Sequence, residues 1–271
     1  MNKSLYCVIS TVLLFLCLNC NFLHQEYLPL TPDNFPSEGT IHGTVDTLVD
    51  QNPFQKDEYS LALFHFDEIS GDTLFDETQN SFGILKGAQR VAGFINNGII
   101  CTKGNYAMFD TIIPHGTKNG TVEFYFKLSI SFSNSEKYTF FGNRGSRIHV
   151  IYSNGTLYYQ KNHHNVHKYV GYKTIFTPNI WYKIAVTWGS KGMRMFLNDK
   201  LVAFKNDTSE YRIHYAPSWP TEHSIFPSFN IFFAGYKEWG GMESIGVTDR
   251  STTYFFNGIL DEIHISSIER Y

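Results

Sequence analysis

The clearest alternation of apolar and polar positions lies in residues 179–204. Within it, residues 181–188 place apolar side chains at every second position, on a face formed by Tyr182, Ile184, Val186 and Trp188. A period of two is typical of a strand with one buried side. Gly189–Gly192 and Asn198-Asp199 are turn sequences. The segment is therefore predicted to form three antiparallel strands, with Trp188 in the core.

The same alternation recurs along most of the chain. It is longest in residues 120–132, which predict a central strand, and the dipeptide Asn154-Gly155 predicts a tight hairpin. Shorter strands are predicted at 61–66, 83–88, 98–101, 106–109 and 229–234. No segment carries a helical apolar stripe, so the sequence predicts an all-β protein.

Three segments carry a resemblance to a known family. The 179–204 meander, residues 59–88 and residues 255–265 resemble the middle, first and last strands of the laminin G-like domain of the concanavalin A-like lectin/glucanase superfamily. The resemblance implies a two-sheet antiparallel jelly-roll β-sandwich over residues 58–271. It also implies a module that usually binds a ligand and only sometimes catalyses a reaction, because a fold alone does not fix function.

The N-terminal residues predict export and a lipid anchor. An apolar run from Leu5 to Leu18 is shorter than the ~20 residues of a bilayer span and is typical of a signal peptide. Its end, LFLCLNC, resembles a relaxed bacterial lipobox. We therefore expect a signal peptide over 1–19, acylation of Cys20, and a flexible tether over 20–57 that contains four prolines. The alternative is an ordinary signal peptide that happens to contain cysteines.

Composition and charge limit the classes of partner that this protein is expected to bind. The formal charge is −3 and the basic residues are scattered, so a nucleic-acid-binding face is not expected. Once the signal peptide is removed and Cys20 is acylated, Cys101 is the remaining thiol, and it is expected to be a small buried apolar side chain. The partners expected are a glycan or protein ligand and the lipid bilayer, at a bacterial outer membrane or cell surface.

Two aspartates are candidates for a structural calcium. Simple alternation places Asp261 in one row with Ile259, Ile263 and Ile265, where a carboxylate needs a hydrogen-bonding or metal partner. The family resemblance implies that an aspartate early in the last strand helps to hold calcium, with Asp67 as a neighbouring ligand. The alternative is that Asp261 accepts backbone N–H bonds from an adjacent loop without a metal.

Carboxylate spacing argues against an enzyme. Retaining glycosidases hold two carboxylates about 5 Å apart, whereas the acidic pairs here are adjacent in sequence and point to opposite faces of a strand. The two long connections after residue 204 carry aromatic residues that either bind a ligand or shield a sheet edge. The ligand-binding candidates are Tyr211, Tyr215, Trp219, Tyr236 and Trp239.

The sequence thus predicts a membrane-anchored lipoprotein with a non-catalytic recognition module that binds glycan or protein in an adhesion-type role. Two other classes stay open at this point. One is a glycoside hydrolase or lyase of the same superfamily, and the other is a structural envelope protein.

Overall fold

The strands that the sequence predicts are present in the computed structural model, which describes residues 39–40, 52–102, 104–109, 117–133, 137–143, 148–163, 166–209, 231–233 and 256–271. These residues belong to one compact unit, Phe35–Tyr271. They form two antiparallel sheets and contain no helix. Over these ranges, accordingly, no helix is long and apolar enough to cross a membrane.

One sheet has nine strands, numbered here in chain order: β1 (Gly39–Thr40), β2 (Ser60–Phe64), β5 (Gln89–Ala92), β6 (Asn97–Cys101), β8 (Gly120–Leu128), β13 (Trp181–Trp188), β14 (Met193–Leu197), β15 (Lys200–Lys205) and β17 (Gly258–Ser266). Their spatial order is β1-β15-β14-β13-β8-β17-β6-β5, and β2 also pairs with β17. The strands nearest to each other in space are thus often far apart in sequence.

The second sheet has eight strands: β3 (Thr73–Phe75), β4 (Phe82–Lys86), β7 (Tyr106–Phe109), β9 (Lys137–Asn143), β10 (Ile148–Ser153), β11 (Thr156–His163), β12 (Val166–Lys173) and β16 (Ile231–Phe233). Their order is β12-β11-β10-β9-β16-β7-β4-β3. The predicted hairpin joins β10 to β11, where Asn154 and Gly155 have φ values of 49° and 74°. Positive φ at both positions matches the type I′ geometry that Asn-Gly favours.

The core lies between the two sheets, and the alternation correctly identifies the residues of the meander that enter it. Ile184, Val186 and Trp188 are fully buried there, and Tyr182 packs against them. The indole of Trp188 also donates a hydrogen bond from Nε1 to the carbonyl of Thr117 at 3.2 Å. The predicted all-β, two-sheet jelly-roll sandwich and the core position of Trp188 are confirmed.

Two differences from the prediction concern boundaries. Strand β8 ends at Leu128 rather than at residue 132, because Ser129 turns away and donates its N–H to the carbonyl of Asn257. Ile130 is consequently exposed instead of facing the core. Strands β3, β5, β9 and β12 have short or broken alternation and were not predicted.

Part of the range expected to be a tether packs on the sandwich. Gly39 and Thr40 pair with β15. The ring of Phe54 stacks on Tyr125 with centroids 5.2 Å apart, and Asp57 accepts a hydrogen bond from Arg270 at 2.7 Å. A flexible tether therefore does not extend through these residues, because they have specific partners. The other residues of 20–57, including Cys20, lie outside the described ranges.

Candidate functional site

Strand β17 changes its neighbour halfway along its length. Gly258–Leu260 pair with β6, whereas Ile263–Ser266 pair with β2. Between the two halves the register with β8 shifts, and Glu262 adopts a left-handed φ of 51°. A bulge of this kind adds one residue to a strand and interrupts its alternation. We call residues Asp261 and Glu262, where the two neighbours meet, the β17 junction.

The bulge corrects the predicted position of Asp261. Leu260, Ile263 and Ile265 all belong to the hydrophobic core. The core-facing positions on the two sides of the junction, Leu260 and Ile263, are thus three positions apart instead of the two of a regular strand. The prediction that Asp261 lies in the row of Ile263 and Ile265 is therefore wrong. The side chain is nevertheless completely buried, because the loop between β5 and β6 folds over it.

The carboxylate of Asp261 holds this loop through backbone hydrogen bonds. Its Oδ2 accepts N–H groups from Phe94 at 2.7 Å and Ile95 at 2.9 Å, and its Oδ1 accepts the N–H of Glu262 at 2.8 Å. A β-carbon on Gly93 would lie 2.4 Å from Oδ2, so only glycine permits this approach. Burial raises the pKa of Asp261 to about 8, although the backbone donors oppose part of that change.

The structure brings the two predicted calcium ligands to the same loop. Asp67 accepts hydrogen bonds from the side-chain amide of Asn96 at 2.9 Å and from the N–H of Asn97 at 3.0 Å. Two N–H groups already bond Oδ2 of Asp261, so this oxygen has no lone pair left for a metal. Calcium needs six to eight oxygen ligands. In the described ranges no group of three or more His, Cys, Asp or Glu side chains is placed to hold a metal. The contacts seen here are those of the hydrogen-bonded alternative, and calcium binding by Asp67 and Asp261 stays a prediction.

Glu262, the other carboxylate of the β17 junction, contacts a different part of the chain from Asp261. It accepts the N–H of Phe54 at 2.9 Å and lies 2.7 Å from Nδ1 of His65. The hydrogen bond and charge of Glu262 raise the pKa of His65, with smaller contributions from Glu77 and Asp67 and with burial opposing them. The pair therefore fastens both the start of the described sandwich and the end of β2 to β17.

A third buried carboxylate lies beside the junction on β8. Glu123 approaches Nδ1 of His264 at 3.1 Å, accepts the hydroxyl of Tyr271 at 2.6 Å, and lies 3.6 Å from Nζ of Lys183. Burial opposes its charge, but the hydrogen bond from His264, the charge of Lys183 and the Tyr271 hydroxyl together lower its pKa. Nε2 of His264 contacts the Ser60 hydroxyl at 2.8 Å.

These buried carboxylates share a chemical property that limits what they can do. Asp261, Glu262 and Glu123 are all buried, and each already has at least two hydrogen-bonding partners in the protein. A general acid or base must reach the proton that it transfers. The arrangement therefore stabilises the sandwich and offers no carboxylate to a substrate at this position.

The sequence did not identify Glu123 and His264 as partners. Glu123 occupies a polar position in the alternation of β8, which predicts a solvent-facing side chain, and the two residues are 141 positions apart. A local pattern carries no signal for such a contact. By contrast, Cys101 is buried as expected, and burial raises the pKa of its thiol.

The predicted aromatic ligand-binding residues, Tyr211, Tyr215, Trp219, Tyr236 and Trp239, lie outside the described ranges, as does Cys20. Within those ranges, large apolar side chains are exposed at several other positions. Two of them, Phe75 and Phe82, lie opposite each other on neighbouring strands. No strand was predicted at residues 73–75, so the pairing of Phe75 with Phe82 was not expected. The local pattern that could have indicated this strand is the alternation Thr-Leu-Phe at residues 73–75, which is only three residues long.

Comparisons with known proteins identify solved structures that have a similar fold. No family model and no curated protein matches the sequence. Among solved structures, the binding domain of botulinum neurotoxin serotype D is similar, with a TM-score of 0.54 and 14% identity over 78% of this chain and 49% of that one. This chain therefore spans about half the length of that binding domain.

Two further structures are similar along most of this chain. Domain 4 of an extracellular arabinanase from Geobacillus stearothermophilus, in complex with arabinotriose, has a TM-score of 0.54 and 12% identity, over 77% of this chain and 92% of that domain. A Trypanosoma rangeli sialidase has a TM-score of 0.50 and 8% identity, over 78% of this chain and 30% of that protein. At these identities the similarity shows a shared β-sandwich fold, and the laminin G-like family stays a prediction.

Proposed function

We propose that this protein is a non-catalytic recognition module that binds a glycan or a protein ligand and is displayed from a bacterial membrane through acylated Cys20. The observation that carries the proposal is the likeness to arabinanase domain 4, of which 92% is matched and which was solved with arabinotriose bound. The similar neurotoxin binding domains were solved with N-acetylneuraminic acid and with synaptotagmin II, which supports keeping both ligand classes.

The buried carboxylates support a binding role over a catalytic one. In a glycosidase the two acidic groups flank a substrate cleft, whereas Asp261, Glu262 and Glu123 are closed off by their own hydrogen-bonding partners. The experiment is a binding screen of the purified full-length protein against neutral and charged polysaccharides and extracellular-matrix proteins. We expect saturable binding to at least one of them without release of reducing ends. Binding to none of them, or release of reducing ends, contradicts the proposal.

The membrane anchor has its own test. Expressed in a bacterium that processes lipoproteins, the protein is expected to partition into detergent, and Cys20→Ser to remain in the aqueous phase. Cys17→Ser is the matched control, since Leu16 before it is a poor cleavage position. Equal partitioning of Cys20→Ser and the unaltered protein contradicts acylation at this residue.

A further inference from the structure

The outer side of the eight-stranded sheet carries an exposed aromatic pair at its β3 edge. In the β3–β4 hairpin, Leu74 is opposite Gly83 and faces the core, whereas Phe75 is opposite Phe82 and faces away from it. Phe75 is 66% exposed and Phe82 is 47% exposed. Large apolar side chains at this exposure, side by side, are typical of an interaction surface.

The backbone of this edge strand is already occupied. The N–H of Phe75 donates to Glu68 Oε1 at 2.6 Å, and Arg90 donates to the carbonyl of Thr73 at 2.9 Å. Arg90 and Glu68 also form an ion pair at 2.8 Å. These contacts protect the edge against pairing with another strand. A partner at this position therefore meets side chains and not free backbone groups.

The same contacts define how the two phenylalanines are paired. Because the N–H of Phe75 points to Glu68 and not to Phe82, the two phenylalanines form a non-hydrogen-bonded pair, in which the Cα atoms are about 4.5 Å apart. Neither ring contacts another aromatic ring of the described chain. The pair thus offers two adjacent apolar faces to a ligand.

The loop that joins the two phenylalanines carries two exposed amides. Residues 76–81 connect the two phenylalanines, and the buried carboxylate of Asp76 fixes the loop by accepting the N–H of Leu63 at 2.9 Å and the N–H and hydroxyl of Thr78. The exposed side-chain amides of Gln79 and Asn80 have no partner in the described part of the chain. An amide both donates and accepts, as a sugar hydroxyl does.

We propose that Phe75, Phe82, Gln79 and Asn80 form a binding subsite for a neutral polysaccharide, and this inference rests on the proposed glycan-binding function. Aromatic faces provide an apolar surface on which a sugar ring stacks, and a few fixed polar groups provide orientation. The groups that contact the ligand are uncharged, and the Nζ of nearby Lys56 donates to the carbonyl of Glu77 at 3.0 Å. Asp72 and Glu77 are exposed carboxylates near the hairpin, and Lys56 bonds only the backbone of Glu77, so the local charge is negative and disfavours an acidic polymer. A neutral polymer can bind through the uncharged rings and amides alone.

Binding is tested with the full-length protein in detergent, measured by affinity electrophoresis against arabinan, mannan and β-glucan as neutral probes and polygalacturonate and chitosan as charged ones. We expect binding to a neutral probe to weaken at least tenfold in Phe75→Ala/Phe82→Ala and severalfold in Gln79→Ala/Asn80→Ala. Phe75→Tyr/Phe82→Tyr retains the aromatic faces and should bind within about threefold of the unaltered protein. Ile69→Ala/Ile175→Ala removes two apolar side chains that are even more exposed than the phenylalanines and should have no effect.

The outcomes separate this inference from the proposed function. If a polysaccharide binds and the Phe75→Ala/Phe82→Ala variant binds equally well, the subsite is wrong while the glycan-binding function stands. If no polysaccharide binds the unaltered protein, the subsite and the glycan-binding function both fail, and only the protein ligand of the proposed function stands. Loss of binding confined to charged probes overturns the neutral class. A change in oligomeric state on gel filtration in the alanine variant, without a change in polysaccharide binding, assigns the pair to contacts between copies instead.

Discussion

The β17 junction and the β3–β4 hairpin both combine polar and aromatic side chains, yet they differ in what those side chains contact. At the junction, Asp261 and Glu262 are buried and bonded to neighbouring loops. At the hairpin, the acidic groups hold the backbone in place, while Phe75 and Phe82 remain exposed. In both regions titratable groups hold backbone segments in place, and the hairpin differs in leaving two aromatic side chains exposed.

The largest effect is expected for Glu123→Ala. This change leaves the buried imidazole of His264 and the hydroxyl of Tyr271 without their carboxylate, whereas Lys183 keeps Asp199 at 2.8 Å. Breaking a buried charge pair costs about 3–5 kcal/mol of unfolding free energy. Urea unfolding measures the change, and Glu77→Ala, which alters an exposed carboxylate, is the control. A loss below about 1 kcal/mol would show that the cluster beside the junction does not stabilise the sandwich.

Asp261→Asn is expected to cost about 1–3 kcal/mol, because the amide can keep its oxygen towards Phe94 and Ile95 but then leaves the buried N–H of Glu262 unsatisfied. If Asp261 helps to hold calcium, added calcium raises the melting temperature of the unaltered protein, and the Asn variant loses that gain. Gly93→Ala, which pushes the same loop away from Asp261, should destabilise the protein to a similar extent. Equal melting curves for Asp261→Asn and the unaltered protein, with and without chelator, would contradict a role for the carboxylate.

The His65–Glu262 pair predicts a smaller, pH-dependent contribution. The pKa of folded His65 is raised above that of the unfolded chain, so the pair stabilises the protein fully below pH 6.5 and loses this effect as pH rises through the folded value. His65→Asn should therefore lower the unfolding free energy by up to about 1 kcal/mol at pH 6 and by less at pH 9. The raised pKa of Asp261 makes the unfolding free energy fall as pH rises from about 4 to about 8. Asp261 is present in both the unaltered protein and His65→Asn, so this effect cancels when the two are compared. A difference that grows with pH would mean that the sign is wrong.

The smallest stability effect is expected at the hairpin. Phe75→Ala should change the unfolding free energy by no more than about 0.5 kcal/mol, since the ring is exposed and its removal leaves no cavity. The neighbouring Leu74→Ala, which empties a core position, should cost about 2–5 kcal/mol and serves as the contrast. Similar losses for the two variants would show that Phe75 packs into the protein and is not available to a ligand.

Local sequence patterns were sufficient to predict the all-β class, the Asn154-Gly155 hairpin, and the burial of Ile184, Val186 and Trp188. These features depend on side-chain alternation and turn preferences, which act over a few neighbouring residues. The meander was predicted well because its three strands are consecutive, so that each strand pairs with the next one along the chain. Local pattern and spatial order agree in that segment.

The environment of Asp261, by contrast, depends on contacts between distant parts of the chain. Alternation placed it with Ile263 and Ile265, but β17 exchanges β6 for β2 at this point, and the resulting bulge moves Asp261 out of that row. Its hydrogen-bonding partners, Phe94 and Ile95, are more than 160 positions away. Which strands become neighbours depends on how the whole core packs, and a one-residue shift in register changes the face of every following side chain. No periodicity within β17 contains that information.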